Sequence, residues 1–350
     1  MSTGTPKSKI NVGVVGATGV VGETFIDLLE QRQFPVGDLK LFASDASLGM
    51  TRSFKAKEYP ISTLSDSCFA GLDVVFFSAG EGISKKWAPI AVASGAFAID
   101  NSSAFRMEEE FALVVPEVNG DLLFKNKLKP TIIANPNCST IQLVVALAPL
   151  QKKYGLSQVR VASYQSVSGA GRDGMSELIE NTSLEMTRLR DDSPHIATNK
   201  IFPKNIAFNS IPQIGDFDDS GFCGEEKKIM FETKKILRQM DLKISAFTVR
   251  VPTLNSHAEA VWVTLNKKDV SQHEIEVCLS ESKGLEILAL SSPEKYPTQS
   301  FTSGKDPVYI GRIHPEFESR DTWMMWVVAD NLRKGAALNG IQIAEQLFAL

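Results

Sequence analysis

Ile10-Asn11-Val12-Gly13-Val14-Val15 runs directly into Gly16-Ala17-Thr18-Gly19-Val20-Val21-Gly22. The first six residues are apolar and rich in β-branched side chains, as a buried strand requires. The glycines follow at once, and Val21, Phe25, Leu28 and Leu29 then recur at the spacing of an amphipathic helix. A strand, a G-x-x-G-x-x-G turn and a helix form a phosphate cradle. Without side chains, the backbone N–H groups approach a pyrophosphate, and the helix dipole favours its charge. A glycine pattern alone is a tight turn, but the flanking strand and helix point to a dinucleotide. Leu39–Ala43 reads as a second strand, and the Ser44-Asp45-Ala46-Ser47 stretch after it is where ribose selectivity is set.

Further strands are expected at Leu72–Ser78, Phe97–Ile99, Ala112–Val115 and Thr131–Ala134. Alternating with helices, they imply a Rossmann-like, doubly wound parallel sheet. After Cys138 the candidate strands lengthen, at Val159–Val167, Leu242–Val251 and Ala258–Leu265, with helices at Met175–Arg190 and Glu225–Met240. These imply an α+β domain with a mixed sheet. The expected boundaries are a dinucleotide-binding domain over 1–137, joined by a C-terminal helix over 330–350, and a catalytic and dimerisation domain over 138–329. The chain length of 350 residues suits two domains.

Apolar residues make up 43% of the chain and charged residues 22%, ordinary globular usage. A net charge of -4 argues against a nucleic-acid partner. Cys68, Cys138, Cys223 and Cys278 are too dispersed for a zinc site or a disulfide framework, so no metal is expected and a reducing cytoplasm fits. Met1–Lys9 lacks the apolar stretch of a signal peptide, and Ile141–Leu150 is about half of a bilayer span, so no membrane partner is expected.

Asn135-Pro136-Asn137-Cys138-Ser139-Thr140 is the second candidate site. Pro136 holds the chain out of helix, and a helix begins near Cys138. A thiol at a helix N-terminus has its thiolate stabilised, and the same N–H groups receive an oxyanion. The competing reading is a buried cysteine that packs as a small hydrophobe. A cysteine nucleophile needs a base near neutrality. His195 and His273 lie in polar stretches, while His257, at the junction of two strands, and His314, in a loop, stay open. Glu225, Lys228 and Glu232 share a helix face, either a site or a solvated salt ladder. Arg106 follows a strand end and is either an anion ligand or a surface cation.

Taken together, GATGVVG at Gly16, DNSSAFR ending at Arg106, VVPEVN at Val114, ANPNCSTIQ around Cys138, YQSVSGAG at Tyr164, FNSIPQIG at Phe208, EEKK and FETKKI from Glu225, RVPTLNSHAE at Arg250 and DNLRKGAALNGIQIAE at Asp330 resemble bacterial aspartate-β-semialdehyde dehydrogenases. The resemblance spans nearly the whole chain. It implies NADPH-dependent reductive dephosphorylation of L-aspartyl-4-phosphate in lysine, methionine, threonine and diaminopimelate biosynthesis. It implies Cys138 as nucleophile, His257 as acid/base, Gln165 orienting the acyl intermediate and Asn137 assisting at the oxyanion. Arg106 and Lys228 would hold the phosphate, Arg250 the substrate carboxylate and Glu225 its ammonium. Cofactor contacts would fall on Gly16, Ala17, Thr18, Gly19, Val20, Val21, Ser44, Ser47, Gly169 and Asn331. The small-molecule substrate and inorganic phosphate would be the ligands, and a homodimer or homotetramer the assembly. Ala46 and Asp45 depart from the usual Arg-Ser pair that holds a 2′-phosphate, so NAD stays open beside NADP. The related N-acetyl-γ-glutamyl-phosphate reductases would share the glycine turn and cysteine. A nucleotide-binding regulatory subunit without catalysis is the reading from another class.

Overall fold

The computed structural model describes residues 9–124, 129–191 and 199–350. His195 lies outside them. In chain order the elements begin β1 (Ile10–Val15), α1 (Val20–Gln31), β2 (Val36–Phe42), β3 (Thr51–Phe54), β4 (Lys57–Ser62) and β5 (Val74–Phe77). There follow α2 (Glu81–Ala93), β6 (Phe97–Asp100), β7 (Ala112–Leu113), α3 (Pro116–Asn119), β8 (Ile132–Ala134) and α4 (Cys138–Tyr154). Next come β9 (Leu156–Gln165), α5 (Gly171–Asp191), α6 (Gly224–Leu237), β10 (Lys243–Arg250) and β11 (His257–Leu265). The chain ends with α7 (Gln272–Ser280), β12 (Leu285–Leu288), α8 (Gln299–Thr302), β13 (Val308–Pro315), β14 (Thr322–Ala329) and α9 (Leu338–Leu347).

Two compact units result: the described part of Met1–Asn137 with Ala336–Leu350, and Cys138–Gly335. The return to the first unit therefore falls at 336 and not at 330. Residues 331–335 stay with the second unit because they pack there. Asn331 donates to Ser168 Oγ at 2.9 Å, and Gly335 lies so close to Cys138 that an added Cβ would sit 2.9 Å from its Cβ. A π-turn over Arg333–Ala337 precedes α9, which starts at Leu338 and not at the expected 330.

In the first unit, strands run in the order β3-β4-β2-β1-β5-β6-β8-β7, parallel except for the β3–β4 hairpin. β5 (VVFF) is buried at every position, as a strand covered on both faces must be. Its Phe76 stacks on Phe25 of α1 at 4.6 Å. Gly340 lets α9 approach the same ring, because a Cβ there would stand 2.9 Å from Phe25. From β1 the chain goes first to β2 on one side and later to β5 on the other. That reversal places the crevice of a doubly wound sheet at the C-terminal end of β1, where the glycine turn lies.

In the second unit, β10-β9-β11-β14-β13-β12 form a mixed sheet. β10 pairs parallel to β9 and β12 to β13, with antiparallel pairs between β9, β11, β14 and β13. On β11 the residues of one face (His257, Glu259, Val261, Val263, Leu265) are all buried, and α4 packs on this sheet. The opposite face bears half-buried Trp262, Met324 and Trp326. Among the described residues, no helix is long and apolar enough to cross a membrane.

Candidate active site

Gly16 has φ +86° and an added Cβ would lie 2.8 Å from Ser78 O, so only glycine turns the chain here. A Cβ on Gly22 would lie 2.0 Å from Gly16 O, so the helix packs directly on the turn. Gly19 caps α1 with no side-chain hydrogen bond, leaving the helix N-terminus to backbone N–H groups. The cradle of Gly16, Ala17, Thr18, Gly19, Val20 and Val21 fits a dinucleotide pyrophosphate. After β2, Ser44, Asp45 and Ala46 are exposed, and buried Ser47 sits 3.3 Å from the Thr18 hydroxyl. Arg52, on β3, is paired with Asp27 and Glu23 on α1.

The turn before Cys138 is organised by Asn135. Its amide donates to Asn101 Oδ1 and Ala336 O, and its carbonyl oxygen accepts from Asn339. Arg106 is buried and donates to Asn135 O at 3.0 Å and Asn101 O at 2.9 Å, which rules out the surface-cation reading. Asn137, which precedes Cys138 in sequence, is buried. Cys138 opens the seventeen-residue α4 and is only half-buried. The other thiols differ. Cys223 is buried as the N-cap of α6, and burial pushes Cys68 and Cys278 upward in pKa, away from thiolate.

Register assembles the rest. Arg250, Gln165 and His257 are direct neighbours across β10, β9 and β11, so the three side chains project from one row of one face. All three are buried. Arg250 donates to Ser166 O at 2.6 Å. Ser166 N–H in turn donates to His257 Nδ1 at 3.1 Å. A backbone N–H only donates, so Nδ1 carries the lone pair and the neutral ring carries its proton on Nε2. Burial, reinforced by the Arg250 charge, lowers the His257 pKa to about 3. Nε2 has no hydrogen-bond partner, and a Cβ on Gly169 would stand 3.4 Å from it and 3.0 Å from Arg250 Nη1. Gly169 thus leaves open the space beside His257 Nε2 and Arg250 Nη1.

Glu225, on the first turn of α6, accepts from Gln165 Nε2 at 3.2 Å and from Lys228 Nζ at 3.3 Å. The Lys228 side chain is 42% exposed and that of Glu225 only 6%, so a solvated ladder is excluded for the glutamate. Glu232, a turn on, is buried as well. Burial lowers the Arg250 pKa, against the opposing influence of Glu225 and Cys138, and the guanidinium stays cationic. Asn331 Oδ1 accepts from Ser166 and Ser168, which ties it to the loop beneath His257. His314 pairs with Met324, whereas His257 pairs with Ala329. Five residues of strand put His314 about 16 Å away along the sheet. It lines a separate, largely apolar concavity of about 580 Å³ with Trp262, Met324 and Trp326. His273, on α7, is exposed.

Residues 11–125 match the semialdehyde dehydrogenase NAD binding domain, and residues 147–334 match the semialdehyde dehydrogenase dimerisation domain. Aspartate-semialdehyde dehydrogenase of Bacillus subtilis is 43% identical over 340 residues, covering 97% of both chains. That of Aquifex aeolicus is 42% identical over 337 residues, 96% of this chain and 97% of its own. The chain belongs to the aspartate-semialdehyde dehydrogenase family. The crystal structure of aspartate semialdehyde dehydrogenase II of Vibrio cholerae complexed with ASA superposes with a TM-score of 0.91 at 40% identity, over 97% of this chain and 98% of that one. The Candida albicans enzyme with NADP gives 0.73 at 26% identity, over 97% and 98%. As a member of the aspartate-semialdehyde dehydrogenase family, the chain is an oxidoreductase acting on an aldehyde, with a nicotinamide-dinucleotide domain and a dimerisation domain.

Within this family fold, sequence reasoning missed Ser166, which sets the His257 tautomer, and Asn135, the hub of the turn. It also missed Gln142 and Glu259, buried beneath the site. The one signal for Glu259 was a carboxylate two residues after His257 on a strand whose inner face is otherwise apolar.

Proposed function

We propose that the chain catalyses NADPH-linked reductive dephosphorylation of L-aspartyl-4-phosphate to L-aspartate 4-semialdehyde through a thioester on Cys138. The observation that carries the substrate is that Arg250 and Glu225 are both buried in the unit that holds Cys138, each within reach of the other's charge. A guanidinium for a carboxylate and a carboxylate for an ammonium suit a free amino acid. An acetylated amine has no charge for Glu225, which disfavours an N-acetyl-γ-glutamyl-phosphate substrate.

The Cys138 thiolate attacks the acyl carbon, the C–S bond forms, and the C–O bond to phosphate breaks. Lys228 offsets the charge on the departing phosphate, and Arg106 is assigned to the same anion. Gln165, anchored by Glu225, orients the acyl group, and Asn137 assists its oxygen. The Gly16–Val21 cradle with Ser44, Ser47, Gly169 and Asn331 would hold the reduced nicotinamide dinucleotide, which would supply the hydride. His257 donates a hydrogen bond from Nε2 to the oxygen of the tetrahedral centre. The neutral ring already carries its proton on Nε2 while Ser166 N–H occupies Nδ1, so it acts as an acid by offsetting the charge that gathers on that oxygen. Collapse expels the Cys138 thiolate and leaves the aldehyde. The loss of a 2′-phosphate cation at Ala46, with Arg52 drawn to α1, leaves Ser44 and Ser47 as the 2′-phosphate donors of the NADP reading. We assign the outer face around Trp262, Met324 and Trp326 to a homodimer contact, which alone, or doubled into a homotetramer, covers it.

The deciding experiment is phosphate-dependent oxidation of aspartate semialdehyde, with NADP and NAD compared, on the wild type and Cys138→Ser. Loss of turnover in the variant with NADP-linked rates exceeding NAD-linked ones is expected. Near-normal turnover in Cys138→Ser refutes the covalent route, and faster NAD-linked rates refute the cofactor assignment.

A further inference from the structure

Glu259 and Gln142 are two fully buried polar side chains that the proposed chemistry does not use. Glu259 is 0% exposed and Gln142 1%. Neither Glu259 oxygen, nor the oxygen or nitrogen of the Gln142 amide, has a hydrogen-bond partner of good geometry. The Gln142 amide is the polar group that faces the Glu259 carboxyl. Such groups cost free energy unless they satisfy each other.

Their positions relate them to the active site. Gln142 lies four residues after Cys138 on α4, about 6 Å along the axis and on nearly the same face. Glu259 lies two residues after His257 on β11, about 7 Å along the strand and on the same face. α4 packs against β11. A bond between the two side chains therefore ties the turn of helix that presents the nucleophile to the end of strand that presents the imidazole. A carboxylate only accepts, and would leave the Gln142 amide oxygen unsatisfied. A carboxylic acid donates its O–H to that oxygen and accepts from the amide nitrogen, so both groups are satisfied at once.

We propose that Glu259 is a positioning residue, held as a neutral carboxylic acid in a two-point pair with Gln142 that fixes the geometry of Cys138 relative to His257. The proposal rests on the assignment of Cys138 and His257 above. The surroundings agree with a neutral acid. Ser163 faces Glu259 from β9, Val327 from β14, His257 adjoins it on its own strand, and Glu225 adds a negative charge from α6. Burial raises the Glu259 pKa well above the usual value. The Gln142 amide opposes this, and Glu225 adds to it.

The test uses full-length Glu259→Gln, Glu259→Leu, Gln142→Leu and the exchanged pair Gln142→Glu/Glu259→Gln. Read-outs are kcat and KM, the pH profile of Cys138 alkylation by iodoacetamide, and the infrared carbonyl band of a protonated carboxylic acid. The wild type is expected to show that band and Glu259→Gln to lack it. Glu259→Leu and Gln142→Leu are expected to lower kcat by about ten- to a hundredfold with KM little changed, as for a misplaced reacting pair. Glu259→Gln, which keeps one donor and one acceptor, and the exchanged pair recover most of kcat and the wild-type alkylation profile. Loss in Glu259→Gln as deep as in Glu259→Leu, a missing infrared band, or wild-type kcat in Glu259→Leu each overturns the proposal. Alkylation and infrared do not depend on which aldehyde is reduced, so failure of the substrate assignment shows separately, as absent wild-type turnover.

Discussion

His257→Gln tests the site's electrostatics through stability. The native ring is neutral because burial and Arg250 hold its pKa at about 3, against an ordinary 6.5. Between those two values the unfolded chain binds a proton that the folded chain refuses. The stability contributed is complete above pH 6.5 and is lost as pH falls toward 3. At pH 5 the solution is about 1.5 pH units below the unfolded value and still above the folded one, so the wild type has lost about 2 kcal/mol to this residue at about 1.4 kcal/mol per unit. The figure barely changes if the folded pKa is nearer 4, because pH 5 lies above that too. Urea denaturation at pH 7.5 and pH 5, at one protein concentration, measures it for wild type and variant. The wild type should lose about 2 kcal/mol more than His257→Gln over this interval. Equal losses would mean that the native imidazole titrates normally, and the argument from burial and from the Ser166 N–H would fall.

Arg250→Lys replaces a fork with a point charge, and should raise the KM for aspartate semialdehyde about ten- to a hundredfold, the worth of one charge-assisted hydrogen bond. An unchanged KM removes Arg250 from substrate binding. Sedimentation equilibrium should give a mass of two or four chains, and Trp326→Glu, which puts a charge on the outer face of the mixed sheet, should shift it toward one chain. A wild type that sediments as one chain refutes the interface.

The parts legible in the sequence are those in which one local rule dominates. β1 and β5 are apolar on both faces because helices cover both, and Gly16 and Gly22 are glycines because neighbouring backbone leaves no room for a Cβ. β3 and β4 were not read as strands. They form an edge hairpin of polar sequence, TRSF and KEYPIS, with Pro60 inside the second. β14, TWMMWVVA, shows no alternation because its outer face is apolar as well. The final helix was begun too early because Ala337, Ile341, Ala344 and Phe348 mark a helical period without marking its start. The π-turn at Arg333–Ala337 is set by the close approach of Gly335 to Cys138, a contact between residues nearly two hundred positions apart.

The same distinction divides the site. Cys138 was legible because proline, the polar turn and the helix start are all local. Local rules favoured His257 over His314 only modestly, through the strand break before it. What separates them is register: one histidine lies in the row of Gln165 and Arg250, and the other is on β13, opposite Met324, five residues along β14 from the partner of His257. Its protonation is less local still, since the ring's tautomer depends on the N–H of Ser166, ninety-one residues away, and that residue's carbonyl is held by Arg250. Arg250 therefore acts on His257 twice. Its charge disfavours the imidazolium, and its hydrogen bond to Ser166 O positions the N–H that fixes the remaining proton on Nε2. A guanidinium and an imidazole that share one row of the sheet, on the two strands flanking β9, cannot be tuned independently, and a change at 250 must alter the state of 257.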